Sequence, residues 1–166
     1  MPSEIRITDN SAEVLKEFEA ACLKALEECG LIAEGYAKRL AVVDTGLLRN
    51  SITYALSGKS PAISTYHADR GPKKGSYSGT MPDESKGYAV YIGTNVDYGA
   101  YNELGTGIHA TMGGGSPPWV FPIEMPDGTV QFRKTSGMEA RPFIKPSVAD
   151  HAGEYREIIQ DNLKGK

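Results

Sequence analysis

Several groups of residues in this 166-residue chain have types and spacings that chemistry could use. Ser57-Gly58-Lys59-Ser60 carries the ending of a phosphate-binding loop, in which backbone N–H groups cradle phosphate oxygens and the lysine meets the outer phosphates. That loop needs a glycine five positions before Gly58, but Thr53 stands there, and Pro61 follows where a helix should begin. Gly75-Ser76-Tyr77-Ser78-Gly79 has the outer glycines of a nucleophile elbow, with Tyr77 at the nucleophile's position. None of the 3 histidines, His67, His109 and His151, stands at metal-ligand spacing from another histidine or a cysteine, so solvated loop histidines are expected. Cys22 and Cys29 lie two helical turns apart if their segment is helical, which puts their α-carbons roughly 10 Å from each other, beyond disulfide reach. They are expected to act as small apolar side chains. No paired carboxylates sit where their pKa values would be driven apart. The residues imply no metal, no cofactor and no catalytic group, and nothing in them supports an enzyme.

The elements that hold these residues follow an α+β order. Residues 10–43 read as one long helix, with Leu15, Phe18, Cys22, Leu26, Cys29, Ala33, Tyr36 and Leu40 forming an apolar stripe at spacings of three and four. Asn10 and Glu13 fit a loose capping box, and Gly30 with Gly35 weakens the middle, so a bend near Gly30 is expected. Glu17, Glu19, Glu27 and Glu28 fall mostly on the polar side, as a solvated face or an acidic subunit contact. Asp44-Thr45-Gly46 stops the helix, a short turn covers Leu47–Asn50, and Ser51–Leu56 alternates as a strand. Residues 57–87 lose their aliphatics after Ile63 and form a long exposed excursion. Tyr88–Thr94 is the clearest strand, and Asp97–Leu104 makes one or two helical turns. Residues 108–139 hold a glycine-rich loop, including Met112–Pro118, and then a hairpin of Trp119–Glu124 and Thr129–Lys134 with Asp127-Gly128 at its tip. Pro142–Leu163 closes the chain as a second amphipathic helix. The expected architecture is a single domain, 1–166, with two helices on one face of a small, mostly antiparallel sheet.

Composition narrows the function classes. The 18 Lys+Arg against 21 Asp+Glu leave a net charge of −3, too little positive charge to grip a nucleic-acid backbone by counterion release. With 2 Cys no disulfide scaffold is possible at this size. No apolar run approaches the ~20 residues of a membrane helix, and Met1–Arg6 lacks the pattern of a secretion signal. The expectation is a protein made and kept in the cytoplasm, or packed into something assembled there.

Three segments carry a family resemblance. Thr45-Gly46-Leu47-Leu48-Arg49-Asn50-Ser51-Ile52 resembles T-G-x-L-R-x-S-I. Ile92-Gly93-Thr94 through Tyr98, Ala100, Tyr101, Glu103, Gly105 and Thr106 resembles V-G-T-x-x-x-Y-A-x-Y-x-E-x-G-T, with Gly99 where that pattern has alanine and Ala100 one place later. Ala140-Arg141-Pro142-Phe143-Ile144-Lys145-Pro146 resembles A-R-P-F-L-x-P. Together, in this order, they resemble the tailed-bacteriophage neck or tail-component proteins of long-tailed phages. The resemblance implies a virion structural protein, made in the host bacterial cytoplasm. Its subunits would form a ring, a hexamer by the symmetry of the tail, between the head connector and the tail tube, with DNA crossing the lumen only as cargo. A tail terminator or tail-completion protein of the same virion is the alternative role, and a small enzyme or nucleic-acid-binding domain the alternative class. The implied partners are further copies of the chain, the head-closure or connector proteins, and tail-terminator or tail-tube proteins, with no membrane.

The residues of the three segments are expected to maintain the fold. Leu48 and Ile52 would point into the core, and Glu103 would meet Arg49 or Arg141 in a charge cluster. The 57–87 excursion would be an assembly arm anchored by Tyr66, Tyr77 and Tyr88, cut by protease in the free protein and protected in particles.

Overall fold

The structure, a computed structural model, describes residues 9–57, 63–70, 74–80, 87–112 and 117–164. The N-terminal segment Met1–Arg6, residues 58–60 of the phosphate-loop-like run, parts of the 57–87 excursion and most of the Met112–Pro118 loop lie outside the described residues.

Helix α1 runs unbroken over Ser11–Leu40, and α2 (Leu47–Ser51) follows a tight turn. Strand β1 (Thr53–Leu56) pairs antiparallel with β4 (Val90–Gly93), joining Thr53 to Gly93 and Leu56 to Val90. Between them β2 (Ile63–Ala68) and β3 (Gly75–Thr80) pair antiparallel, so the excursion contains a ribbon where the sequence suggested loop. Helix α3 (Gly99–Leu104) and one 3-10 turn (Gly107–His109) lead to the hairpin of β5 (Trp119–Glu124) and β6 (Val130–Thr135). Its tip is the expected Asp127-Gly128, Gly128 taking φ +81°. The layout is α+β and the pairing antiparallel, but among the described residues the strands form three separate two-stranded ribbons.

The C-terminal helix is two helices, α4 (Ile144–Ala149) and α5 (Ala152–Leu163). The break frees the His151 ring to stack on Tyr36 of α1, with centroids 3.4 Å apart, so His151 is not a solvated loop histidine. Tyr36 donates its hydroxyl hydrogen to Glu154 (2.9 Å), and Arg39 lies 4.5 Å above the Tyr36 ring. Tyr155 of α5 donates to the Ser147 carbonyl of α4 at 2.6 Å, which fixes the angle between the two helices.

The expected stripe of α1 is buried at Cys29 and Ala33, half-buried at Cys22, Leu26 and Tyr36, and exposed at Leu15, Phe18 and Leu40. The buried face is Ala25, Cys29, Gly30, Ala33 and Ala37, continued by Ala41. Small residues let β1 and β4 approach the helix backbone closely. Gly30 marks the closest point: a Cβ there would sit 2.6 Å from Tyr54 Cδ2 and 2.8 Å from Val90 Cγ2. The glycine that looked like a helix breaker is therefore the position where the ribbon rests on the helix. At the start of α1 the expected Asn10 cap is absent, and the Asp9 carboxylate accepts the Ser11 N–H at 2.9 Å instead.

Two glycines of one helix should thus respond oppositely to alanine. Gly35 has nothing within 4 Å of a new Cβ, so Gly35→Ala should stabilise by up to about 1 kcal/mol through helix propensity. Gly30→Ala gains the same propensity but must displace the Tyr54 ring, and should destabilise by about 1–3 kcal/mol in urea unfolding. Similar gains at both sites would contradict the packing.

The helix junction also sets an alkaline limit. Burial first, then the Glu154 charge, pushes the Tyr155 phenol up to about 12, and the hydrogen bond to Glu154 raises Tyr36 as well. A phenol raised in the folded state stabilises it fully below the ordinary value of 10, and that contribution disappears as pH rises through about 12. Wild-type stability should fall over this window, and Tyr155→Phe should flatten the fall while lowering stability near neutral pH.

Candidate functional site: the convergence of three segments

The segments that stand out in the sequence meet around one core. Ala37 and Ala41 of α1, Leu48 and Ile52 after the turn, and Phe143 before α4 are buried together, with Ile92, Val96 and Ile144 half-buried against them. Phe143 and Ile52 are among the largest fully buried side chains.

The first segment makes a corner. Gly46 takes φ +82°, and a Cβ on it would strike Asp69. The Asp69 N–H donates to the Thr45 carbonyl at 2.8 Å, and Asn50 Nδ2 donates to the His67 carbonyl at 2.8 Å, so the corner is bonded to the end of β2. Arg49 pairs with Asp69 at 3.3 Å and with neither Glu103 nor Arg141. Buried Ser51 bonds the Leu48 carbonyl at 2.8 Å and shares a 2.5 Å hydrogen bond with Thr94, at the end of β4. The hydroxyl pair thereby joins the first segment to the second.

Gly93 ends β4 in pairing with Thr53. Gly99 is buried, and a Cβ there would lie 2.6 Å from Thr94 Cγ2. Ala100, one place later, is exposed. Tyr98 and Tyr101 of this segment are exposed.

Glu103 does not form the expected cluster. Its carboxylate caps α4: Oε2 accepts the N–H of Phe143 at 2.7 Å and of Ile144 at 2.9 Å, and Oε1 accepts that of Lys145 at 2.8 Å. Three N–H groups that a helix start leaves unpaired are satisfied by one charge from another helix, at the end where the helix dipole favours an anion. The Arg141 side chain makes no ion pair among the described residues; its backbone N–H donates to the Asn102 carbonyl at 2.6 Å. Residue type could not distinguish these outcomes, because arginine and unpaired N–H groups are both good partners for a carboxylate.

The third segment is stitched to the second by glycines. Gly105 takes φ +72°, and a Cβ there would lie 2.7 Å from the His109 carbonyl oxygen and 2.9 Å from the Ala140 nitrogen. The Thr106 N–H donates to the Met138 carbonyl, and Met138 donates back to the Thr106 hydroxyl, both at 2.9 Å. Pro146 contributes its carbonyl to the Asp150 N–H inside α4. Pro142 is exposed ahead of the buried Phe143.

A cleft of about 570 Å³ at the convergence is lined by Thr94, Asn95, Val96, Asp97, Glu103 and Ile144. The Glu103 carboxylate there is occupied by backbone N–H groups and the Thr94 hydroxyl by Ser51. No group of three or more His, Cys, Asp or Glu among the described residues could hold a metal ion. His67 sits 3.1 Å from Asp69 on the surface. Cys29 is buried, its thiol raised by burial and then by Glu28, and it approaches the Tyr155 carbonyl; Cys22 is half-buried and also free. Glu17, Glu19, Glu27 and Glu28 are exposed along α1.

Of the proposed arm anchors, Tyr66 is buried in the subunit, stacked 6.0 Å from Tyr77, and so is not free to serve as an exposed anchor. Tyr77 and Tyr88 are exposed. Further exposed apolar side chains include those on the first turns of α1 and on the β5–β6 hairpin. No helix among the described residues is long and apolar enough to cross a membrane.

Residues 6–105 match the family model described as "Bacteriophage HK97-gp10, putative tail-component", and the chain belongs to that family. The match spans the first segment and nearly all of the second; Ala140–Pro146 lies beyond it. No curated protein and no solved structure matches the chain at a significant level.

Removing the Glu103 cap leaves three N–H groups without their acceptor. Glu103→Ala should cost about 3 kcal/mol in urea unfolding and Glu103→Gln about half of that, because hydrogen bonds to charged groups contribute roughly 1.5–3 kcal/mol. Arg49→Ala, which breaks an exposed pair, should cost less than about 1 kcal/mol. Equal losses for Glu103→Ala and Arg49→Ala would restore the charge-cluster reading.

Proposed function

We propose that this phage tail component is a ring subunit of the neck, six copies around a channel that joins the head connector to the tail and lets DNA pass. The observation that carries the reading is the family match over residues 6–105. In this reading the whole chain acts as one neck-protein domain, resides in the virion and performs no catalytic step. Two features support a structural role: Leu48, Ile52 and Phe143 of the motif segments close the core, and large apolar side chains remain uncovered on the outside. A net charge of −3 suits a wall along which DNA must slide without being held. Its partners would be neighbouring copies, the head-closure proteins above and the tail-terminator or tail-tube proteins below.

Deleting the gene in a phage that carries it tests the role by electron microscopy of the lysate. DNA-filled heads beside unattached tails of normal length are expected. Tails of irregular length would point to a tail terminator. Intact, infectious particles would reject a structural role in the virion.

A further inference from the structure

Two elements of the subunit lack the packing that their own stability requires. The first ten residues of α1, Ser11–Ala20, are exposed all round. Within them Val14 (62% exposed), Leu15 (59%) and Phe18 (51%) fall on one arc at 100° per residue. Glu13 and Glu17 flank that arc on one side, and Lys16 lies on the opposite face. Helices in proteins are held mainly by burying such a face. The second element is the β5–β6 hairpin, in which only Ile123 and Thr135 are even half-buried. Val120 (63%), Phe132 (72%) and Val130 share one face with Lys134, while Trp119 and Phe121 share the other with Arg133. A lone two-stranded hairpin is marginal in water and needs further strands or a helix against it.

From this juxtaposition we propose that the β5–β6 hairpin of one subunit packs on the first turns of α1 in a second copy of the chain. Each element supplies what the other lacks: a helix face for the hairpin, and an apolar cover for the helix. On the Phe132 face the charges agree at one end: the helix arc is rimmed by Glu13 and Glu17, and Lys134 stands on that face opposite Val120, with Glu124 at its far end opposite Val130. None of these four makes an ion pair among the described residues. Both surfaces stay exposed within one subunit, so neither covers the other there. Two different patches that fit each other make a head-to-tail contact, the kind that repeats around a ring. This deepens the ring reading by naming its interface, and it rests on that reading only for closure of the ring.

The test is self-association of the purified full chain, followed by sedimentation and native mass spectrometry. Phe132→Glu and Phe18→Glu should each weaken association by about tenfold or more, with the monomer's melting temperature unchanged because both side chains are exposed. Glu17→Lys and Lys134→Glu should each weaken it, and the double variant should recover most of the loss. In a Cys22→Ala background, Phe18→Cys chains mixed with Phe132→Cys chains should form mixed disulfide dimers in preference to like-with-like ones. A chain that stays monomeric at its solubility limit overturns the proposal, as do like-with-like crosslinks or charge variants without rescue. Should any of these occur while the deletion phage still yields separate heads and tails, the interface is wrong and the neck role stands.

Discussion

The fold depends on one carboxylate. Glu103 projects from α3, a helix of six residues, and holds the first three N–H groups of α4, also of six residues. Neither helix is long enough to be stable alone, since helices under ~12 residues are marginal in water. The cap places Phe143 at the head of α4, and Phe143 closes the core formed by α1 and the corner after it. From there the order propagates through α4 to α5, and through the Tyr36–His151–Glu154 group back to α1. A short-range electrostatic contact thus joins segments about forty residues apart in sequence.

The same design explains why so much surface is left open. The core residues are small or few, and close approach of elements is made by Gly30, Gly99 and the alanines of α1. Large apolar side chains, which would stabilise a free-standing domain, are displaced to the outside at Phe18, Phe121 and Phe132. In a soluble monomer that arrangement invites aggregation. In the proposed assembly those side chains would supply interface, and part of the stability would belong to the assembly.

Much of this was legible in the sequence, for physical reasons that can be named. The extent of α1, the paired strands ending at Gly93 and the Asp127-Gly128 hairpin follow from periodicity and turn chemistry, which are local. The role of Gly30 was not legible, because its constraint comes from Tyr54 and Val90, residues brought to it by the fold. The expected stripe holds at Cys29 and Ala33 and fails at Leu15, Phe18 and Leu40 for a related reason. Size favours Leu15 and Phe18 as core residues, but close approach of a ribbon favours alanine and glycine. Leu48 and Ile52 could be placed in the core from their segment, whereas the partner of Glu103 could not. Arg49 went to Asp69, which comes from within the excursion, and Tyr66 went into the subunit interior, because β2 and β3 form a ribbon that polar composition alone does not announce.

Amide hydrogen exchange at Phe143, Ile144 and Lys145 measures the central contact directly. N–H groups in the first turn of a helix ordinarily exchange fast, since no carbonyl of their own helix receives them. With Glu103 accepting all three, they should be protected in the free subunit to a degree comparable with the interior of α1, and should lose that protection in Glu103→Ala. Exchange at open-chain rates in the wild-type protein, with α1 still protected, would contradict the account.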